Sequence, residues 1–131
     1  MNLIHPMKSI EQPFDADPQK SYTMAARYYT DENIYQQEKA DIFWQSWVYI
    51  GHSSQLKDAG DYITANLHGQ EVMVVRDQEG QLGAFFNVCP HRGHQLLTGC
   101  GNTRAIVCPY HSWCFDQQGQ FLRGRNLQDL K

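Results

Sequence analysis

The chain has 131 residues, a net charge of −3 and 41% hydrophobic content, enough apolar material for one modest core and hardly for two. No Lys/Arg cluster offers a footprint for nucleic acid, and no acidic tail suggests a disordered solvating segment. No apolar stretch approaches membrane-spanning length, and residues 1–20 have neither a secretory signal's apolar run nor a transit peptide's arginines, so a cytoplasmic protein with small-molecule or protein partners is expected.

In chain order, residues 1–20 carry three of the five prolines and little periodicity, which predicts a mobile arm ahead of a single domain over 21–131. The stretch "TDENIYQQEKADIFWQSW" (30–47) predicts one amphipathic helix. Thr30 is its expected N-cap, Asp31 and Glu32 suit the first turn, and Ile34, Tyr35, Ile42, Phe43 and Trp47 form an apolar face. From Val48 to about Arg125 short strands follow: "WVYIGH", "DYITANL", "EVMVVR", "LGAFFNV" and "AIV", separated by turn-rich pieces. A further hairpin is expected at "CFDQQGQFL", where Gly119 supplies a positive φ. The fold class is mainly β, an antiparallel β-domain with one N-terminal helix.

Two Cys/His clusters sit just past "FFNV" and just past "AIV", at strand ends where a rigid sheet can position ligands. The first is C-x-H (Cys89, His91) and the second, sixteen residues on, is C-x2-H (Cys108, His111). Two thiolates and two imidazoles suit one tetrahedral zinc, or a [2Fe–2S] cluster with Cys₂ on one iron and His₂ on the other. A zinc finger usually pairs two cysteines on a hairpin with two histidines on a helix, whereas here each loop offers one of each. In a reducing compartment the other cysteines are bystanders: Cys100 a loop thiol, Cys114 a small hydrophobe facing a core. His94 reads as a surface loop histidine that could shield a cluster, Arg92 as a docking charge or a plain loop residue, and Gly93 as the residue that lets the loop turn. His5, His52 and His68 have no partner pattern and receive no role.

"CPHRG" followed by "CPYHSW" resembles the Rieske family. The resemblance implies a Rieske [2Fe–2S] cluster held by Cys89, His91, Cys108 and His111, with Arg92, Gly93, His94, Tyr110 and Trp113 in the supporting loops. Rieske proteins of respiratory complexes tie these loops with a disulfide, but their cysteines fall where this chain has His94 and Tyr110. Their Ser and Tyr hydroxyl donors fall at Trp113 and Phe115, so the resemblance implies a low-potential cluster.

From Arg27 to Arg125 the chain looks like the opening of a Rieske non-haem iron oxygenase α-subunit, and its finer texture like the branch that oxidises quaternary amines such as carnitine or betaine. That resemblance implies electron transfer from a reductase or ferredoxin to a mononuclear iron site, in a neighbouring α-subunit of a homotrimer, for O₂-dependent hydroxylation or demethylation by a monooxygenase or dioxygenase. No facial triad for that iron can be assembled from the remaining histidines. The catalytic domain is therefore expected to be missing from the chain, and the chain alone to be incomplete as an enzyme. A stand-alone Rieske ferredoxin is the alternative function, and a zinc-stabilised structural module comes third.

Overall fold

In the computed structural model, residues 15–21 and 23–125 are described, and they fall into two compact units divided after Val48. Most of the expected arm lies outside the described residues. Its last part, from Asp15, forms a turn in which the Lys20 and Ser21 N–H groups both donate to the Asp17 carbonyl.

The first unit corrects the expectation of one continuous helix over 30–47. Two helices stand there, α1 (Arg27–Thr30) and α2 (Glu32–Asp41), followed by a 3₁₀ turn at Phe43–Gln45. Asp31, not Thr30, is the N-cap of α2: its backbone is extended (φ −87°, ψ 118°) and its carboxylate accepts from the Asn33 N–H at 2.8 Å. A capping Asx side chain stabilises a helix start only where the backbone leaves helical geometry, so the choice of Asp31 breaks the helix at that residue. Thr30 instead ends α1, its hydroxyl donating back to the Ala26 carbonyl at 3.2 Å. Neither helix buries a residue, and Trp44 and Trp47 are exposed. The Lys39 ammonium lies 5.2 Å from the Trp44 ring and 5.7 Å from the Tyr35 ring.

The second unit is an antiparallel β-structure. β1 (Asp61–Leu67), β2 (Gln70–Arg76) and β3 (Leu82–Phe86) form successive hairpins, and β4 (Cys100–Asn102) returns beside β1 to give the order β3-β2-β1-β4. β5 (Ile106–Val107), β6 (Cys114–Phe115) and β7 (Phe121–Arg123) form a second, three-stranded sheet. The strand expected at "WVYIGH" is absent: residues 47–52 join no ladder among the described residues, and His52 instead caps a 3₁₀ turn at Ser53–Gln55. β4 is the reverse case. "CGN" has little β-propensity and reads as a loop, but pairing with the free edge of β1 makes it a strand and places Cys100 on it.

The β1–β2 turn has His68 at φ 51° and Gly69 at φ 91°, the two positive values that a tight two-residue hairpin needs. Gly119 (φ 81°) turns the β6–β7 hairpin. Alternation along β2 sends Met73 and Val75 inward to meet Leu96, Ile106 and Phe115, and both Cys89 and Cys108 belong to this core. Two buried amides organise it. Gln117 donates to the Thr103 carbonyl at 2.8 Å and accepts from Gln78 at 2.9 Å, joining the turns of the two sheets. Asn87 accepts from the Leu96 and Leu97 N–H groups at 3.2 and 2.9 Å and donates to the Leu97 carbonyl at 2.7 Å.

Each Cys/His cluster occupies a loop of one backbone design. In the first, the Cys89 N–H donates to the His94 carbonyl (2.7 Å) and the Gly93 N–H to the Cys89 carbonyl (2.9 Å). In the second, the Cys108 N–H donates to the Trp113 carbonyl (2.8 Å) and the Ser112 N–H to the Cys108 carbonyl (2.9 Å). The fifth residue of each frame is left-handed: Gly93 at φ 70°, Ser112 at φ 59°.

Asn87→Ala strands one buried and two part-buried backbone groups and is expected to cost about 1–3 kcal/mol, read as a drop in thermal midpoint. The loops supply a paired test. A Cβ at Gly93 meets nothing within 4 Å, so Gly93→Ala is expected to cost only the left-handed backbone penalty, about 1–2 kcal/mol. Ser112→Gly is expected to stabilise by up to about 1 kcal/mol; equal effects of opposite sign to these would contradict the matched frames.

Candidate metal centre

The two loops bring Cys89, His91, Cys108 and His111 together, and they do so in layers. Cys89 and Cys108 are 1% and 2% exposed, with their thiols in hydrogen-bonding contact. Outside them the His91 and His111 rings meet edge-on, centroids 4.8 Å apart at 66°. His91 is exposed and His111 half-buried. Among the described residues no group of three or more His, Cys, Asp or Glu side chains converges as the cage of a single ion does. The four stand as an inner sulfur pair and an outer nitrogen pair.

Backbone geometry sets the electrostatics of the sulfurs. A loop that folds back on its own cysteine points successive N–H groups at the sulfur: those of His91 and Arg92 at Cys89, and those of His111 and Tyr110 at Cys108. Burial pushes the Cys89 thiol up, and the Cys108 thiol beside it adds to the rise. Burial also opposes ionisation of Cys108, but the His111 and Tyr110 N–H groups and the Cys89 thiol outweigh it and hold Cys108 below the usual thiol range. His111 is pushed down by desolvation and then by the electrostatic influence of the neighbouring His91, Arg92 and His94, which favours its neutral, metal-binding form.

One atom tests whether this set suits a metal. His111 Nδ1 is buried and has no hydrogen-bond partner, a situation that native proteins avoid for a ring nitrogen unless something else takes its lone pair. A neutral imidazole with a free inward nitrogen, above two buried thiols ringed by N–H donors, fits a group that takes sulfur at its inner end and nitrogen at its outer end.

The supporting residues take distinct places. Trp113 lies parallel to His91, centroids 4.7 Å apart at 5°, and leans on Phe121 at 5.0 Å. Tyr110 packs on His111 at 3.7 Å and meets His94 at 5.7 Å. His94 is exposed and its Nδ1 pairs with the Gln95 carbonyl at 2.7 Å. Arg92 is exposed on the first loop. Cys114 is buried on β6, and Cys100 is exposed on β4 of the other sheet. Asn87 and Ser112 escaped the sequence reading, although the repeated spacing Cys-Pro-x-x-Gly/Ser was the available signal for Ser112. Beside the first loop, an open apolar groove of about 670 Å³ runs along Val72, Ala84, Phe86, Val88 and Pro90. Its lining carries no ionisable side chain, so it offers contact area without chemistry.

Comparison with known proteins agrees with this geometry. The sequence pattern of the Rieske [2Fe-2S] domain matches residues 46–131. The carnitine monooxygenase oxygenase subunit of Escherichia coli (strain K12) is 41% identical over 131 residues, 99% of this chain and 35% of that protein. The chlorobenzene dioxygenase subunit alpha of Cupriavidus sp. (strain PS12) is 40% identical over 97 residues, 73% of this chain and 22% of that protein. The crystal structure of the quaternary ammonium Rieske monooxygenase CntA with L-carnitine superposes with a TM-score of 0.83 at 39% identity, covering 90% of this chain and 34% of that one. The chain thus spans about a third of the carnitine monooxygenase subunit it matches. With the layered Cys/His pairs and the family pattern across most of its length, the chain belongs to the Rieske [2Fe-2S] domain family.

Proposed function

We propose that the chain is the electron-transfer domain of a Rieske oxygenase α-subunit, with Cys89 and Cys108 holding the inner iron of a [2Fe–2S] cluster and His91 and His111 the outer one. The observation that carries this reading is the buried sulfur pair beneath an imidazole pair whose inward His111 Nδ1 has no protein partner. When bound, such a cluster takes up and releases one electron at a time. The chain's own residues set the conditions for that exchange. The N–H groups of His91, Arg92, Tyr110 and His111 offset charge on the sulfurs, and the core around Met73, Val75, Ile106 and Phe115 keeps water from them. Each histidine, ligating through one ring nitrogen, keeps a second nitrogen to face outward and link to a partner. Arg92, His94 and Tyr110 are exposed beside them and form the docking surface.

The donor in this reading is a reductase or ferredoxin, and the acceptor a mononuclear iron in a neighbouring α-subunit of a homotrimer. In this reading that iron is held by the catalytic domain of the neighbouring subunit. The likeness to a carnitine monooxygenase subunit favours a small quaternary amine of the carnitine type as substrate, in a cytoplasmic enzyme. No helix among the described residues is long and apolar enough to cross a membrane. A stand-alone ferredoxin is the second reading. Against it, similarity to the carnitine monooxygenase subunit extends over 99% of the chain, including the helical unit ahead of residue 46 where the domain pattern begins.

Purified protein is expected to carry two irons and two acid-labile sulfides per chain, with the visible absorption of a Rieske centre; stoichiometric zinc without colour would overturn the assignment. Cys89→Ser and Cys108→Ser are expected to abolish the centre, and Cys100→Ser and Cys114→Ser to leave its spectrum unchanged.

The reduction potential follows from what surrounds the sulfurs. Rieske potentials span about −150 to +300 mV, tuned by hydrogen bonds to sulfur and by solvent exposure. Phe115 is buried in the same core as both cysteines and offers no hydroxyl, so a value in the lowest third, below about 0 mV, is expected. Phe115→Tyr is expected to raise it. Protein-film voltammetry of both proteins checks this, and a potential well above zero, or no upward shift in a variant with intact cluster, would contradict it.

A further inference from the structure

The two imidazoles of the centre are held by different means. His111 is half-buried and covered by the Tyr110 ring at 3.7 Å. His91 is exposed, and among the described residues nothing hydrogen-bonds its ring. A ligating histidine is ordinarily oriented by a hydrogen bond from its second nitrogen, which fixes the ring about the metal–nitrogen bond. Without one, the terminal torsion of histidine is broad and the ring free to turn. The indole of Trp113 meets that need by another route. It lies face to face with His91, 4.7 Å away and within 5° of parallel.

Trp113 is itself held through both its backbone and its ring. The Trp113 carbonyl closes the second loop by accepting the Cys108 N–H at 2.8 Å. Its ring leans at 60° on Phe121 of β7, 5.0 Å away, and Phe121 packs edge-on against buried Phe115 at 5.8 Å. A chain of rings thus runs from the sheet core to the exposed imidazole. His91 belongs to the first loop and Trp113 to the second, so the stack also ties one loop to the other.

We propose that Trp113 is a positioning residue for His91: its indole sets the plane of that imidazole, and hence the direction of the ring nitrogen left facing outward, without touching His111. The proposal rests on the cluster reading above. It predicts an asymmetry that general loosening of the loops would not produce, because the indole stacks on His91 directly and reaches His111 only through the edge contact between the two imidazoles.

The test uses the reduced, cluster-loaded protein and resolves the two histidine ¹⁴N couplings by pulsed EPR. Trp113→Leu keeps bulk and removes the aromatic face; Trp113→Phe keeps a smaller face. With iron and sulfide content equal to wild type, the Leu variant is expected to shift and broaden one nitrogen coupling while the other stays at its wild-type value, and the Phe variant to restore the first. Unchanged couplings in the Leu variant, equal changes in both, or no rescue by Phe would overturn the proposal. If the Leu variant fails to hold a cluster, Phe121→Leu takes its place, since it removes the ring against which Trp113 leans and leaves the indole present. The same single coupling should then broaden, and an unchanged spectrum would overturn the proposal. Wild-type protein that binds no [2Fe–2S] cluster would instead overturn the cluster reading, before any variant is compared.

Discussion

Two thiols in contact, each nearly inaccessible to water, are the arrangement around which the rest of this unit is organised. Negative charge on a buried sulfur is unfavourable unless dipoles replace the lost solvent. Each loop supplies them by folding back so that consecutive N–H groups converge on its own cysteine. That turn needs a left-handed residue at its fifth position. Gly93 adopts it without a Cβ, whereas Ser112 adopts it at the cost of mild strain.

Loops bent this sharply hold their shape only if their feet are fixed. The core does this for both cysteines, and Asn87 does it for the first loop, binding with one side chain the stretch through which the chain returns. Gln117 has the same role between the sheets, where short strands of two or three residues hold few ladder bonds of their own. Buried amides suit such joints because they satisfy donors and acceptors together and leave no group orphaned. Among the described residues the one orphaned buried side-chain atom is His111 Nδ1, between the two loops.

Relatives named for carnitine and for chlorobenzene match this chain at 41% and 40% identity. The second match covers 97 residues against 131 for the first, so what relatives with different substrates share at this identity is chiefly the cluster-binding part of the chain. The ionisable groups are gathered around the sulfurs and imidazoles, and the apolar groove beside the sheet has none. A fold of this kind can serve many oxygenases, with specificity residing elsewhere.

Residue types and short-range spacing were legible in the sequence. The C-x-H and C-x2-H pairs at strand ends, the alternation of β1 and β2 and the turn at Gly119 all depend on neighbours within a few residues, and these the chain alone determined. Long-range partners decided the rest. "CGN" became a strand because the edge of β1 was open, and "WVYIGH" did not because no strand among the described residues lies beside it. Thr30 and Asp31 are both good caps in isolation, and the bend between α1 and α2 selected Asp31. The layering of sulfur beneath nitrogen, the Trp113 stack on His91 and the reach of Asn87 join residues from different loops. Only tertiary structure could supply them, because burial and orientation are properties of the packed chain and local sequence carries no record of which loop will face which.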